Sequence, residues 1–123
     1  MPARFKDLCL DARDHQALAD WWCDAMGYVR DVESGEQRPP EKSVPIVDPT
    51  GRGPLIWVIP VPEHKVVKNR VHLDVLAPDL ETSTNEALAL GARKQGDVVL
   101  EDDGAFQVLL DPEDNELCLV TGP

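Results

Sequence analysis

The chain is predicted to be an α+β protein built from two tandem βαβββ modules. Three observations carry this. Alternating polar and apolar residues give way to helical spacing and back again, twice. The landmarks of the first half recur in the second: Asp7 and His72 on the opening strands lie 65 positions apart, as do Asp14 and Asp79 at the helix starts. The helix ends at Gly27 and Gly91 are offset by 64, and the Asp48-Pro49 and Asp111-Pro112 turns by 63. A drift of two positions over four landmarks points to internal repetition.

The first strand runs over Phe5–Leu10, where polar and apolar residues alternate. Asp14 is placed to cap a helix carrying Leu18, Trp21, Trp22, Ala25 and Met26 on one stripe, and Gly27 to end it. Strands are expected around Tyr28–Val32, Val44–Val47 and Leu55–Ile59, with 34–42 as a loop containing Gly35 and the Pro39-Pro40 pair. Residues 60–65 connect the halves. The second half opens with the alternating Arg70–Val75 strand, followed by a helix capped by Asp79 and stopped by Gly91. Thr82-Ser83-Thr84 has low helix propensity, so the first turns of that helix are expected to be loose. Strands over Asp97–Leu100, Phe106–Leu110 and Leu117–Val120 complete it. The chain reads as one domain over 1–123, with modules of about 1–62 and 68–123.

Composition narrows the function. With 23 acidic against 12 basic residues, the formal net charge of −11 disfavours nucleic acid and anionic membranes. No apolar run approaches the roughly 20 residues of a membrane span, and residues 1–10 lack the apolar core of a signal peptide. Cys9, Cys23 and Cys118 are odd in number and widely spaced, which suits reduced thiols in the cytoplasm. No CxxC pair exists to hold a structural zinc.

Successive side chains on a strand point to opposite faces, so parity predicts what lines a cavity. Leu8, Leu10, Val71, Leu73, Val75, Leu117 and Leu119 are assigned to the helix side. Asp7, Cys9, His72, Asp74 and Cys118 fall on the other. Pairing Leu117 with Leu55 adds Ile56 and Val58 to that second face and sends Trp57 into the core with Trp21 and Trp22. A slip of one residue inverts such an assignment. Glu101-Asp102-Asp103 reads as a polar turn without calcium-loop spacing. Lys65, Lys68 and Arg70 could hold an anionic group at a cleft mouth, although a solvated connector paired with local acids is the simpler reading.

Three segments carry a family resemblance. Asp14 with Leu18-Ala19, Trp21-Trp22 and Met26-Gly27 resembles the opening of glyoxalase-like domains, and Lys68-Asn69-Arg70-Val71-His72-Leu73-Asp74 resembles their mid-chain segment. Asp111-Pro112-Glu113-Asp114-Asn115-Glu116-Leu117-Cys118 is similar to their closing segment. The family is the vicinal oxygen chelate superfamily of glyoxalases, bleomycin-resistance proteins and extradiol dioxygenases. The resemblance implies an open, incomplete barrel around one small-molecule cleft, and homodimers, sometimes formed by exchanging modules.

Metal-dependent members take one ligand from the first and last strand of each module. Carried over, these positions are Asp7, Ile56, His72 and Cys118. Ile56 cannot ligate, Asp7 is short, and Cys118 replaces a hard carboxylate with a soft donor. Two functions therefore stay open. One is a metal-free module binding a small organic ligand through Asp7, Cys9, Ile56, Val58, Asp74 and Cys118. The other is a lyase or dioxygenase of glyoxalase type, with His72 catalytic and a divalent metal on Asp7 and His72. The degenerate ligand set favours the first, with no cofactor. A purely structural or protein-binding role would leave no ligand-sized cavity.

Overall fold

The computed structural model describes residues 2–31 and 38–122. Its contacts divide it into two compact units, residues 1–64 and 65–123. Both are α+β, as expected.

In module one, β1 (Leu8–Ala12) leads into α1 (His15–Met26), then β2 (Val29–Arg30), β3 (Val44–Val47) and β4 (Ile56–Pro60). The sheet order is β1-β4-β3-β2, with β1 parallel to β4 and the other pairs antiparallel. Asp14 accepts the Ala17 amide at 3.1 Å to start α1. Gly27 ends it in the left-handed region at φ 72°, which costs a residue without Cβ nothing. The end of the expected Tyr28–Val32 strand and residues 34–37 of the expected loop lie outside the described residues.

The core of this module is a sandwich of α1 on one sheet face. Leu18, Ala19, Trp21 and Trp22 are buried on the helix, and Val44, Ile46, Ile56 and Val58 on the strands. The rings of Trp21 and Trp22 meet edge to face, with centroids 5.1 Å apart.

This register corrects three sequence assignments. Leu8 pairs with Ile56 and Leu10 with Val58, so Ile56 and Val58 belong to the buried, helix-side face. They are not cavity residues. Trp57, paired with Cys9, takes the opposite face and is only half-buried, so it is not core. The physical reason is turn length: Asp48 to Ile56 spans eight positions, whereas Asp111 to Leu117 spans six. The Gly51-Arg52-Gly53-Pro54 stretch takes up the excess, and an alignment anchored on the two Asp-Pro turns misplaces the strand.

In module two, β5 (Leu73–Leu76) leads into α2 (Leu80–Ala89), then β6 (Arg93–Lys94), β7 (Val99–Glu101), β8 (Gly104–Leu110) and β9 (Glu116–Val120). The order is β5-β9-β8-β6, with β7 also on β8. β5 and β9 run parallel, with Leu73 opposite Leu117 and Asp74 opposite Cys118. The start of α2 is tighter than its Thr-Ser-Thr sequence predicts. Asp79 accepts both the Thr82 amide at 3.0 Å and its hydroxyl at 2.5 Å, turning a weak helix former into part of the cap. Val71 precedes β5 and is 73% exposed, so it does not join the helix side. The short polar strand β6 was not legible in the sequence and is defined by its pairing with Leu109 and Leu110.

Neither sheet closes on itself among the described residues. No helix among them is long and apolar enough to cross a membrane.

Candidate functional site

Module two carries the candidate site on the sheet face that α2 leaves open. Leu117, Leu119, Gln107 and Leu109 are buried beneath the helix side. The alternate residues Glu116, Cys118 and Val120 on β9, with Phe106 and Val108 on β8, line a cavity of about 360 Å³. Asp74 borders it from β5 and His72 from just before that strand, Lys68 from the connector and Glu101 from β7, with Ala105 and Thr121 completing the wall. The size falls within the range of small-molecule sites.

Across this face the register sets a chemical gradient. His72, Glu116 and Lys68 stand at one end, Asp74, Cys118 and Val108 on the middle rung, and Val120 and Phe106 beyond them. His72 Nε2 lies 3.3 Å from Asp74 Oδ1. The donor atoms of His72, Asp74 and Cys118 all lie within 4.8 Å of one another. The first two are about half-exposed, whereas Cys118 is 9% exposed. Burial pushes the Cys118 thiol up, and the Asp74 carboxylate adds to this, against a weaker opposing pull from Lys68. It rests as a neutral thiol.

Glu116 organises the far end. It is nearly buried, with Lys68 Nζ at 2.6 Å from Oε2 and Lys65 Nζ at 3.5 Å from Oε1. Asn69 Nδ2 donates to its backbone carbonyl at 3.1 Å. The hydrogen bond from Lys68 holds its carboxyl below the usual range against the opposing effect of burial. Lys68 and Asn69 thus tie the connector to β9. Lys65 and Lys68 pair with a local acid, and Arg70 is exposed without lining the cavity.

Module one presents a different surface on the corresponding face. Because Leu8 faces Ile56 as Leu73 faces Leu117, the residue equivalent to Cys118 is Trp57, and the residue equivalent to His72 is Asp7. Trp57 Nε1 donates to Asp7 Oδ2 at 3.1 Å, and Lys6 Nζ approaches the same oxygen at 2.5 Å. Lys6 above all, then Trp57, holds the Asp7 carboxyl below its ordinary value, with burial opposing them. The Arg38 guanidinium lies over the Trp57 ring, 5.1 Å from its centroid. Cys9 shares this face and is exposed.

The structure therefore brings His72, Asp74 and Cys118 together in module two, and Asp7 with Trp57 in module one. It removes Ile56 and Val58 from the site. Glu101, Glu116, Phe106 and Val108 were not singled out as cavity residues, and Lys68 was read only as one of three basic residues that could hold an anionic group at a cleft mouth. The parity of Phe106 and Val108 against Gln107, and of Glu116 against Cys118, carried the signal for most of them.

Two βαβββ modules of this topology, each with one helix-covered and one open sheet face, define the fold of the vicinal oxygen chelate superfamily. A family model described as a glyoxalase-like domain matches residues 7–120, and the chain belongs to that family. No curated protein sequence matches it. Solved structures share the fold. A glyoxalase/bleomycin resistance protein/dioxygenase family enzyme from Burkholderia phytofirmans PsJN superposes with a TM-score of 0.77 at 16% identity, covering 98% of this chain and 100% of that one. The fosfomycin resistance protein FosX from Listeria monocytogenes gives 0.75 at 12% identity, covering 100% and 96%. TioX from Micromonospora sp. ML1 gives 0.62 at 15% identity, covering 98% and 97%.

Proposed function

We propose that the protein binds a small organic ligand in the module-two cavity and does so without a resident metal. The cavity of about 360 Å³, with an apolar floor at Val108, Val120 and Phe106 and polar groups at His72 and Asp74, carries this reading. The donor chemistry supports the absence of a metal. Of the four positions that hold an ion in metal-dependent relatives, Trp57 cannot ligate, Asp7 is engaged by Lys6 and Trp57, and Cys118 is a neutral thiol in place of a hard carboxylate. The resistance proteins among its structural neighbours are consistent with a role in recognising a compound.

A second reading has its own observation. The His72, Asp74 and Cys118 donors converge closely enough to hold a borderline divalent ion such as zinc, which the bottom of a lyase-type or dioxygenase-type site requires. That set differs from the Asp7–His72 pair expected from the sequence. Cys118 would have to lose its proton on binding, in a neighbourhood where Asp74 and burial oppose this.

Metal analysis of protein purified without chelators separates the two. The proposal expects well under one equivalent of Ni, Zn, Fe or Mn, and unchanged thermal stability on adding a chelator. Near-stoichiometric metal lost in His72→Ala would overturn it.

The reading includes a homodimer in a reducing, cytoplasmic setting. Val66, Val67, Val71 and Leu76 are each at least 70% exposed, apolar surface that association could cover. The free cysteines suit such a compartment. Sedimentation equilibrium giving a monomer at micromolar concentrations would remove the dimer.

A further inference from the structure

Charge in the module-two cavity is distributed unevenly. Glu116 engages both lysines, Lys68 at 2.6 Å and Lys65 at 3.5 Å, so the basic groups at that end are already answered. Asp74 faces the cavity from β5, and its nearest partner is an imidazole at 3.3 Å, not a lysine or arginine. Glu101 faces it from β7 and has no ion pair among the described residues. Two carboxylates on opposite borders thus overlook a floor made of Val108, Val120 and Phe106, in a chain whose formal charge is −11.

We infer that the ligand of this cavity is an organic cation with a flat apolar body, its positive charge answered by Asp74 and Glu101. This rests on the proposed ligand-binding role and specifies its chemistry. An anionic ligand would compete with Glu116 for its lysines while lying beside two further carboxylates. A neutral one would gain nothing from Asp74 and Glu101, which are exposed and keep their water. A cation gains from both, and its apolar body covers the floor.

Three probes of one shape and different charge test this at pH 8.5: 9-aminoacridine as the cation, acridine as the neutral form, and acridine-9-carboxylate as the anion. Titration calorimetry is expected to give affinity for 9-aminoacridine about tenfold or more above that for acridine, the gain of one or two effective charge contacts, and weakest binding for the carboxylate. The double variant Asp74→Asn, Glu101→Gln should reduce the affinity for the cation to near that for acridine. Val108→Trp, which fills the floor, should abolish binding of all three. Equal affinities that Val108→Trp removes would overturn the cation inference and leave the cavity reading standing. Preference for the carboxylate would overturn it too. Binding of none, or binding that survives Val108→Trp, would overturn the cavity reading and this inference with it. Far-ultraviolet circular dichroism of each variant establishes that it is folded.

Discussion

Trp57 Nε1 donates a hydrogen bond to Asp7 Oδ2 at 3.1 Å, joining across strands the two residues of module one that correspond to Cys118 and His72 of module two. One face has its polar group tied to an indole, and the other leaves its imidazole and thiol around a cavity. Asp7 is also held by Lys6. A carboxylate engaged twice is poorly placed to serve a ligand.

The β4 register makes neighbouring substitutions behave oppositely. Ile56 is 1% exposed beneath α1, so Ile56→Ala should cost about 2–4 kcal/mol of unfolding free energy through lost transfer energy and the cavity left behind. Trp57→Phe keeps an aromatic ring under Arg38 but removes the N–H together with part of the indole. It should leave the fold intact and raise the titration midpoint of Asp7, since one of the groups lowering that pKa is gone. Urea denaturation and carboxyl-resolved NMR titration measure the two effects. A larger loss of stability in Trp57→Phe than in Ile56→Ala would contradict the register.

Cysteine reactivity should follow burial and field. Cys9 is exposed, whereas Cys118 is buried and its thiol elevated, so iodoacetamide at neutral pH should modify Cys9 well before Cys118. Asp74→Asn removes a negative charge that, after burial, helps to raise the Cys118 pKa, and should therefore speed its alkylation. Peptide mass spectrometry over time resolves the sites. An unchanged or slower Cys118 rate in that variant would show that Asp74 does not act on the thiol.

The Lys68–Glu116 contact should make stability fall at acid pH. The folded-state pKa of Glu116 lies below its ordinary value of 4.5, so its contribution is present above that value and is lost as pH falls through the folded-state pKa. The melting temperature should therefore decline below about pH 5, and Lys68→Met should flatten that part of the decline. Asp48 and Asp79 have depressed pKa values as well, so a residual slope remains in the variant. Melting curves of both proteins between pH 3 and pH 7 are the measurement, and parallel slopes would exclude the contact as a source.

Thr84 on α2 is buried with a hydroxyl that has no hydrogen-bond partner among the described residues. Thr84→Val is nearly isosteric and removes an unsatisfied polar group, so it should raise stability by about 1 kcal/mol. A loss of similar size on chemical denaturation would reveal a bond from this hydroxyl in solution.

Sequence reasoning reached those features whose signals are local. Asp14 and Asp79 cap the helices, Val44–Val47 forms a strand, and His72, Asp74 and Cys118 share one face because parity along a short strand is robust. It failed where the answer depends on a partner strand. The position of Ile56 is decided by the length of the Asp48 turn, which alternation within Leu55–Ile59 cannot reveal, since that run is apolar at every position. β6 is polar and two residues long, so only its pairing to β8 defines it. The engagement of Asp7 by Trp57 depended on the same register and was hidden with it.

The pairing of Trp57 with Asp7 has a consequence for how this protein can change. One module engages its open face in an internal bond and a stacked cation. The other lines its open face with Val108, Phe106 and Glu101, none of which takes part in that bond. Two repeats of one scaffold thus carry differently furnished faces, and a substitution on one face leaves the Asp7–Trp57 contact of the other in place.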